Sequence, residues 1–240
     1  MRELPGALPP GERTIGQLIA ETIRAYGEQF PKLLPLGIPF VVATQVSLGQ
    51  SPNAQTAALL ALSPAIALAF VLACHLVVGG AITWRAYVTA LVLFLPVPFL
   101  ERAFVLPALA WLALFGLAVP AAMVERLGFR AAIARGRRLG TADFLHSFGS
   151  LCGLAVVVVL SELTLIVLLR TQGDNGARLA HALADLVLTP LLFVGGALLY
   201  HDQAARIGSR RSNRRRRRDA HLHPPLDADA AGRPDTQVEP

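Results

Sequence analysis

Six apolar runs divide this chain: Leu33 to Gly49, Thr56 to Ile82, Ala86 to Leu100, Ala103 to Val124, Ser147 to Leu169 and Leu179 to Tyr200. Most of them approach or exceed the roughly 20 residues that a helix needs to cross a bilayer. Segments of that length and apolarity must satisfy every backbone polar group internally, which in lipid leaves helices as the solution for such runs. The sequence therefore predicts an all-α, polytopic membrane helix bundle. Charge supports it: charged residues are 16% of the chain, where a soluble domain carries about a quarter. The third run is the shortest and contains Pro96 and Pro98, so a tilted or re-entrant segment is an alternative there. Glu101 and Arg102 are the only polar punctuation between it and the fourth run, the pattern of a tight hairpin at a membrane face.

Ahead of the first run, Ile15, Leu18, Ile19, Ile23, Tyr26 and Phe30 recur at helical spacing, while Arg13, Gln17, Glu21, Arg24 and Glu28 fall largely on the other side. Thr14 with Gln17 three residues later forms the pattern of a capping box, which starts a helix. The segment 13–30 reads as an amphipathic helix lying on the membrane surface and leading into the first span, the alternative being that it packs on cytoplasmic loops of the same protein; both bury one apolar stripe. Three regions result: an N-terminal segment 1–32, a six-helix transmembrane domain 33–205, and a basic tail 206–240 expected to be disordered. The N-terminal segment lacks an apolar run ahead of a small-residue cleavage site, so the first span is expected to act as an uncleaved insertion signal.

The net charge of +6 resides mainly in the tail, where nine Arg stand against five acids from Gln203 onward. Of the 22 Lys and Arg, 19 lie in the N-terminal end, the second and fourth loops and the tail, and 3 in the alternate loops. Positively charged loops stay in the cytoplasm, so both termini are expected there, in a multi-pass protein of the cell membrane. Two clusters point to anionic lipid. Arg126, Arg130, Arg135, Arg137 and Arg138 sit on one stretch between the fourth and fifth runs, and Arg214, Arg215, Arg216, Arg217 and Arg218 follow Arg210 and Arg211 in the tail. Juxtamembrane arginines each contribute about 1 kcal/mol toward an anionic surface. Nucleic acid is disfavoured as a partner because the tail lacks aromatics to stack bases. A membrane-protein partner is consistent with the pattern.

Ionisable residues inside apolar runs are costly and are functional suspects by default. Glu162 and Asp185 lie at matching depth from the same side of the fifth and sixth runs, about 10 Å in at 1.5 Å per residue, with His181 one turn from Asp185. Two carboxylates at one level form a candidate intramembrane polar site for a proton or cation; alternatively each acid stays protonated or pairs locally, Asp185 with His181 and Glu162 with a donor on a neighbouring helix. Trp84, Tyr87 and Tyr200 fit an interfacial aromatic belt. Gly149 and Gly153, and the pair Gly195-Gly196, read as helix-packing positions. Cys74 and Cys152 lie in apolar runs and give no disulfide framework. His221 and His223 are too few for a metal site, and no Walker loop, nucleophile elbow or zinc-protease motif is present. No enzyme, metal or cofactor is expected.

Three stretches together resemble the bacterial membrane-domain family named after glycerophosphoryl diester phosphodiesterases, with its related integral membrane proteins. They are Arg13-Thr14-Ile15-Gly16-Gln17-Leu18 through Arg24-Ala25-Tyr26 and Phe30; Val119-Pro120, Val124-Glu125-Arg126 and Ala132-Ile133-Ala134-Arg135; and Leu198-Leu199-Tyr200-His201-Asp202 with Arg206. Gly136 and Gln203 depart from the family pattern. The resemblance implies a six-helix membrane module over residues 13–207. In some relatives such a module precedes a soluble phosphodiesterase barrel, an activity not expected of this chain. The function expected is a non-catalytic membrane module organising lipids or partner proteins, with a small transporter or channel-like protein using Glu162 and Asp185 as the alternative.

Overall fold

The computed structural model describes residues 9–170 and 173–222, with residues 174 and 210–222 described by their backbone alone. Among these residues the secondary structure is helical throughout, without strands. Thr14 caps α1 (Ile15–Glu28): its hydroxyl accepts from the Gln17 amide while the Gln17 side chain accepts from the Thr14 amide, closing the capping box. Six segments are long and apolar enough to cross a membrane: Phe30–Ser47, Pro52–Val78, Trp84–Ala103, Val105–Val124, Phe144–Leu169 and Asn175–Ser209.

Prolines accompany most breaks in these spans, although not every proline breaks one. Proline lacks the amide hydrogen and its ring crowds the carbonyl four residues back. The first span is divided into α2 (Phe30–Leu33), a 3₁₀ turn at Leu34–Gly37 and α3 (Ile38–Ser47), with Pro31, Pro35 and Pro39 near the starts of the three pieces. The third is α5 (Trp84–Phe94) followed across Leu95-Pro96 by α6 (Val97–Ala103). It covers the full 20 residues, so it is a broken span of ordinary length. The fourth is α7 (Val105–Phe115) and α8 (Ala118–Val124), interrupted at Gly116-Leu117. By contrast, α4 (Pro52–Val78) passes through Pro64 and α11 (Gly173–Leu222) through Pro190 without a break. Between the fourth and fifth spans lies α9 (Phe129–Ala142), and the fifth is α10 (Phe144–Leu169).

The buried stripe of α1, Leu18, Thr22 and Tyr26, is spent on the protein itself. Ile15 and Ile19 reach the open faces of Gly149 and Gly153 on α10, Thr22 lies beside Gly195 on α11, and the Tyr26 hydroxyl donates to the Val187 carbonyl at 2.7 Å. The helix packs on the spans α10 and α11 and not on the loops, while Ile23 on another side of it stays exposed. Glycines thus serve as packing positions, for a surface helix as well as between spans. In the tail, α11 continues as helix to Leu222, past the expected boundary at 206, and residues 223–240, where the rest of the expected disordered tail falls, lie outside the described residues.

At the centre of the bundle, Phe40 of α3, Phe70 of α4, Phe94 of α5 and Phe193 of α11 form one aromatic cluster, with ring centroids 5.4 Å apart for Phe70 and Phe94, 5.5 Å for Phe70 and Phe193 and 5.9 Å for Phe40 and Phe193. Edge-to-face pairs of this kind add to the area they bury. They join four of the six spans around a common point.

Candidate functional site

Three polar arrangements lie in or against the bundle. Two stand at the end that carries α1 and α9, and both are closed. Asp202, fully buried, receives the Gly11 amide on Oδ1 at 2.9 Å and the Arg206 Nε on Oδ2 at 2.8 Å. Arg206 also reaches Asp143 Oδ2 at 3.0 Å and the Arg13 carbonyl at 2.7 Å. His146 Nε2 lies 3.1 Å from Asp202 Oδ2. Gly11 turns through φ +97°, a left-handed conformation natural to glycine, and its position lies directly against Ala205 and Arg206. The planar guanidinium, with five donors in a fixed fork, therefore fastens the N-terminal segment, the α9–α10 junction and α11 at one point.

Beside it, Glu125 accepts both the Arg135 Nε, at 2.8 and 3.0 Å, and the Tyr200 hydroxyl at 3.0 Å. Tyr200 is 4% exposed. It is therefore no part of an interfacial aromatic belt: its ring is packed in the core and its hydroxyl is used by Glu125. Trp84, by contrast, is 74% exposed and stacks loosely with Tyr87 at the start of α5. Arg135 is spent on Glu125, whereas Arg126, Arg130, Arg137 and Arg138 are exposed and form no ion pair among the described residues. The other face of α9 is small: Gly136 meets the Ala118 backbone and Gly140 the Ala113 and Leu114 carbonyls. That face is buried on α7 and α8, which turns the arginines outward. The tail arginines Arg214, Arg215, Arg216, Arg217 and Arg218 lie on the last turns of α11, where side chains are outside the described residues.

The third arrangement occupies the opposite half of the bundle and contains the intramembrane residues. Glu162 Oε1 of α10 and His181 Nδ1 of α11 lie 2.8 Å apart. The local partner expected for Asp185 is thus taken by Glu162, across the helix–helix contact. Asp185 turns elsewhere: the Thr44 hydroxyl faces its carboxylate, and its Oδ2 is buried without a hydrogen-bond partner. Glu162 thus pairs directly with His181, and Asp185 lies within electrostatic range of both without a hydrogen bond to either.

Asp185 stands on the wall of a cavity of about 270 Å³, toward the lower end of small-molecule sites, reached by all six spans. The four clustered phenylalanines line it, together with Thr189 one turn from Asp185, and Glu101, the second carboxylate on its wall, which is itself exposed. Glu101 reads in the sequence as hairpin punctuation, and α6 and α7 do form that hairpin, with Arg102 bonded to Asn53. The break at Pro96 is the one signal that α6 departs from the course of α5 and sets Glu101 toward the cavity. Gly37 holds the other side of the site: a Cβ there would stand 2.5 Å from the Leu186 carbonyl and 2.6 Å from that of Asp185. Only a residue without a side chain lets the first span approach the α11 backbone so closely.

No group of three or more His, Cys, Asp or Glu among the described residues is arranged to hold a metal ion. No family model matches the chain, and neither curated proteins nor solved structures yield a match.

Proposed function

We propose that this is a non-catalytic membrane module that holds anionic lipid, and a membrane-protein partner with it, at the face carrying α1 and α9, with that face and both termini in the cytoplasm. The observation that supports the reading is the division of labour on α9. One side is buried through Ala132, Gly136 and Gly140, while Arg130, Arg137 and Arg138 project outward and form no ion pair among the described residues. The acids nearby are already consumed, Glu125 by Arg135 and Tyr200, Asp143 and Asp202 by Arg206. Free guanidiniums beside a bilayer attract phosphate-bearing head groups, and the charge asymmetry of the loops favours the cytoplasmic leaflet. The three stretches that carry the family resemblance meet here: Arg13, Glu125, Arg135, Tyr200, Asp202 and Arg206 belong to the two closed polar clusters. That supports a structural role for those motifs in the six-helix module.

Replacing Arg130, Arg137 and Arg138 together by Gln removes about 3 kcal/mol of head-group attraction at about 1 kcal/mol each. Purified protein should then lose the phosphatidylglycerol that co-purifies with the wild type in mild detergent, with unchanged thermal stability. Equal lipid content in the variant would refute the reading. Orientation is tested separately: alkaline phosphatase fused after residue 50 should be active and after residue 80 inactive.

A second reading, a carrier of small molecules, is favoured by one feature, the cavity with Asp185 on its wall.

A further inference from the structure

The cavity has an unusual lining for the interior of a membrane bundle. Its walls are apolar except for Asp185, Thr189, Glu101 and Ser63, and no Lys, Arg or His lines it. The Ser63 hydroxyl is spent on the Leu59 carbonyl at 2.9 Å. The others are not spent in this way. Asp185 Oδ2 is buried and unpartnered, and Thr189, 8% exposed, forms no side-chain hydrogen bond among the described residues. A buried acceptor left unmade is costly, and a carboxylate in an apolar wall stays neutral unless a positive charge offsets its ionised form. His181 is near but forms no hydrogen bond or ion pair with Asp185, its Nδ1 being on Glu162. Facing the acids are Phe40, Phe70, Phe94 and Phe193, and aromatic faces attract organic cations, quaternary ammonium above all.

We propose that this cavity is a binding site for a small organic cation of the alkylammonium class, its head between Asp185, Thr189 and the phenylalanine faces and its apolar part against the leucines of α4 and α7. The acids exclude anions, the lack of donors on basic side chains excludes phosphate and carboxylate ligands, and the volume excludes large amphiphiles. Glu101, exposed and on the same wall, contributes attraction for the entering cation. The Asp185 end of the site, where the head is placed, lies on the opposite half of the bundle from the α9 arginines and does not depend on the reading given to them.

The test uses the full chain in nanodiscs of zwitterionic phosphatidylcholine, so that the bilayer itself does not concentrate cations, and radiolabelled hexyltrimethylammonium in equilibrium dialysis against empty discs. Saturable binding is expected. Asp185→Asn should weaken it by about thirtyfold or more, the scale for losing one partner of a buried charge pair, Asp185→Glu should retain it, and Glu101→Gln should weaken it by a smaller factor. The neutral 1-heptanol should not displace the label. Binding no greater than to empty discs, affinity unchanged in Asp185→Asn, or displacement by equimolar 1-heptanol would each overturn the proposal. Should Asp185→Asn fail to fold, Thr189→Cys in a Cys74→Ala, Cys152→Ala background keeps both carboxylates: saturating hexyltrimethylammonium should slow its labelling by a small thiol reagent, and an unchanged rate overturns the proposal equally.

Discussion

Asp202 and Arg206, one turn apart on α11, are joined at 2.8 Å, with the carboxylate fully buried and the Arg206 side chain partly so. The pair is local in sequence, yet its other partners come from residues 11, 13, 143 and 146. Removing the guanidinium leaves Asp202 and Asp143 uncompensated. Arg206→Met should cost about 3–5 kcal/mol, the range for breaking a buried ion pair, measured by thermal unfolding in detergent. Because Arg206 also holds the Arg13 carbonyl, trypsin should cleave after Arg13 faster in the variant than in the wild type. An unchanged cleavage rate would mean that the N-terminal segment is held by other contacts.

Gly37 and Gly27 give opposite expectations for the same substitution. At Gly37 a Cβ would press on two α11 carbonyls, so Gly37→Ala should destabilise by about 1–3 kcal/mol, the cost of overpacking. Gly27 lies within α1 with nothing within 4 Å of the added atom, so Gly27→Ala should be neutral or stabilise by about 0.5–1 kcal/mol through helix propensity. Unfolding of the two variants side by side separates close approach from general intolerance of glycine replacement.

Tyr26 gives a pH dependence. Burial pushes its phenol up to about 12, and the neutral hydroxyl donates to Val187. A phenol harder to ionise folded than unfolded contributes stability that is fully present below its unfolded value near 10 and is lost as pH rises toward 12. The wild type should therefore lose stability between those limits. Tyr26→Phe should start lower by about 1 kcal/mol, the net worth of one hydrogen bond, and decline less over that interval. Parallel curves would show that other groups control the alkaline limb.

The Glu162–His181 contact joins α10 to α11 at 2.8 Å. In a double-mutant cycle with Glu162→Gln and His181→Leu, the coupling should be about 0.5–1.5 kcal/mol, within the range for residues in direct contact. A coupling of zero would place the two side chains apart in the membrane.

Hydropathy alone determined the number of spans, their approximate limits and the helical class, because lipid leaves a long apolar segment one way to satisfy its backbone. The capping box at Thr14 and Gln17 was equally legible, since both partners lie within one turn. Span breaks accompany Pro35, Pro39, Pro96 and Pro98, whereas the helices run on through Pro64 and Pro190. Partner choice was beyond the sequence. Matching depth placed Glu162 and Asp185 at one level, but depth says nothing of the direction a side chain faces around its helix. Helix rotation gave Glu162 to His181 and turned Asp185 to the cavity, with Glu101 brought to the same wall by a break more than 80 residues away in the chain. Tyr200, which sits where an interfacial aromatic belongs, has its ring packed in the core and its hydroxyl on Glu125, 75 positions earlier. Pairings of this kind are set by which surfaces the close approach of Gly37, Gly136 and Gly140 brings together, and that approach exists only once the helices have packed.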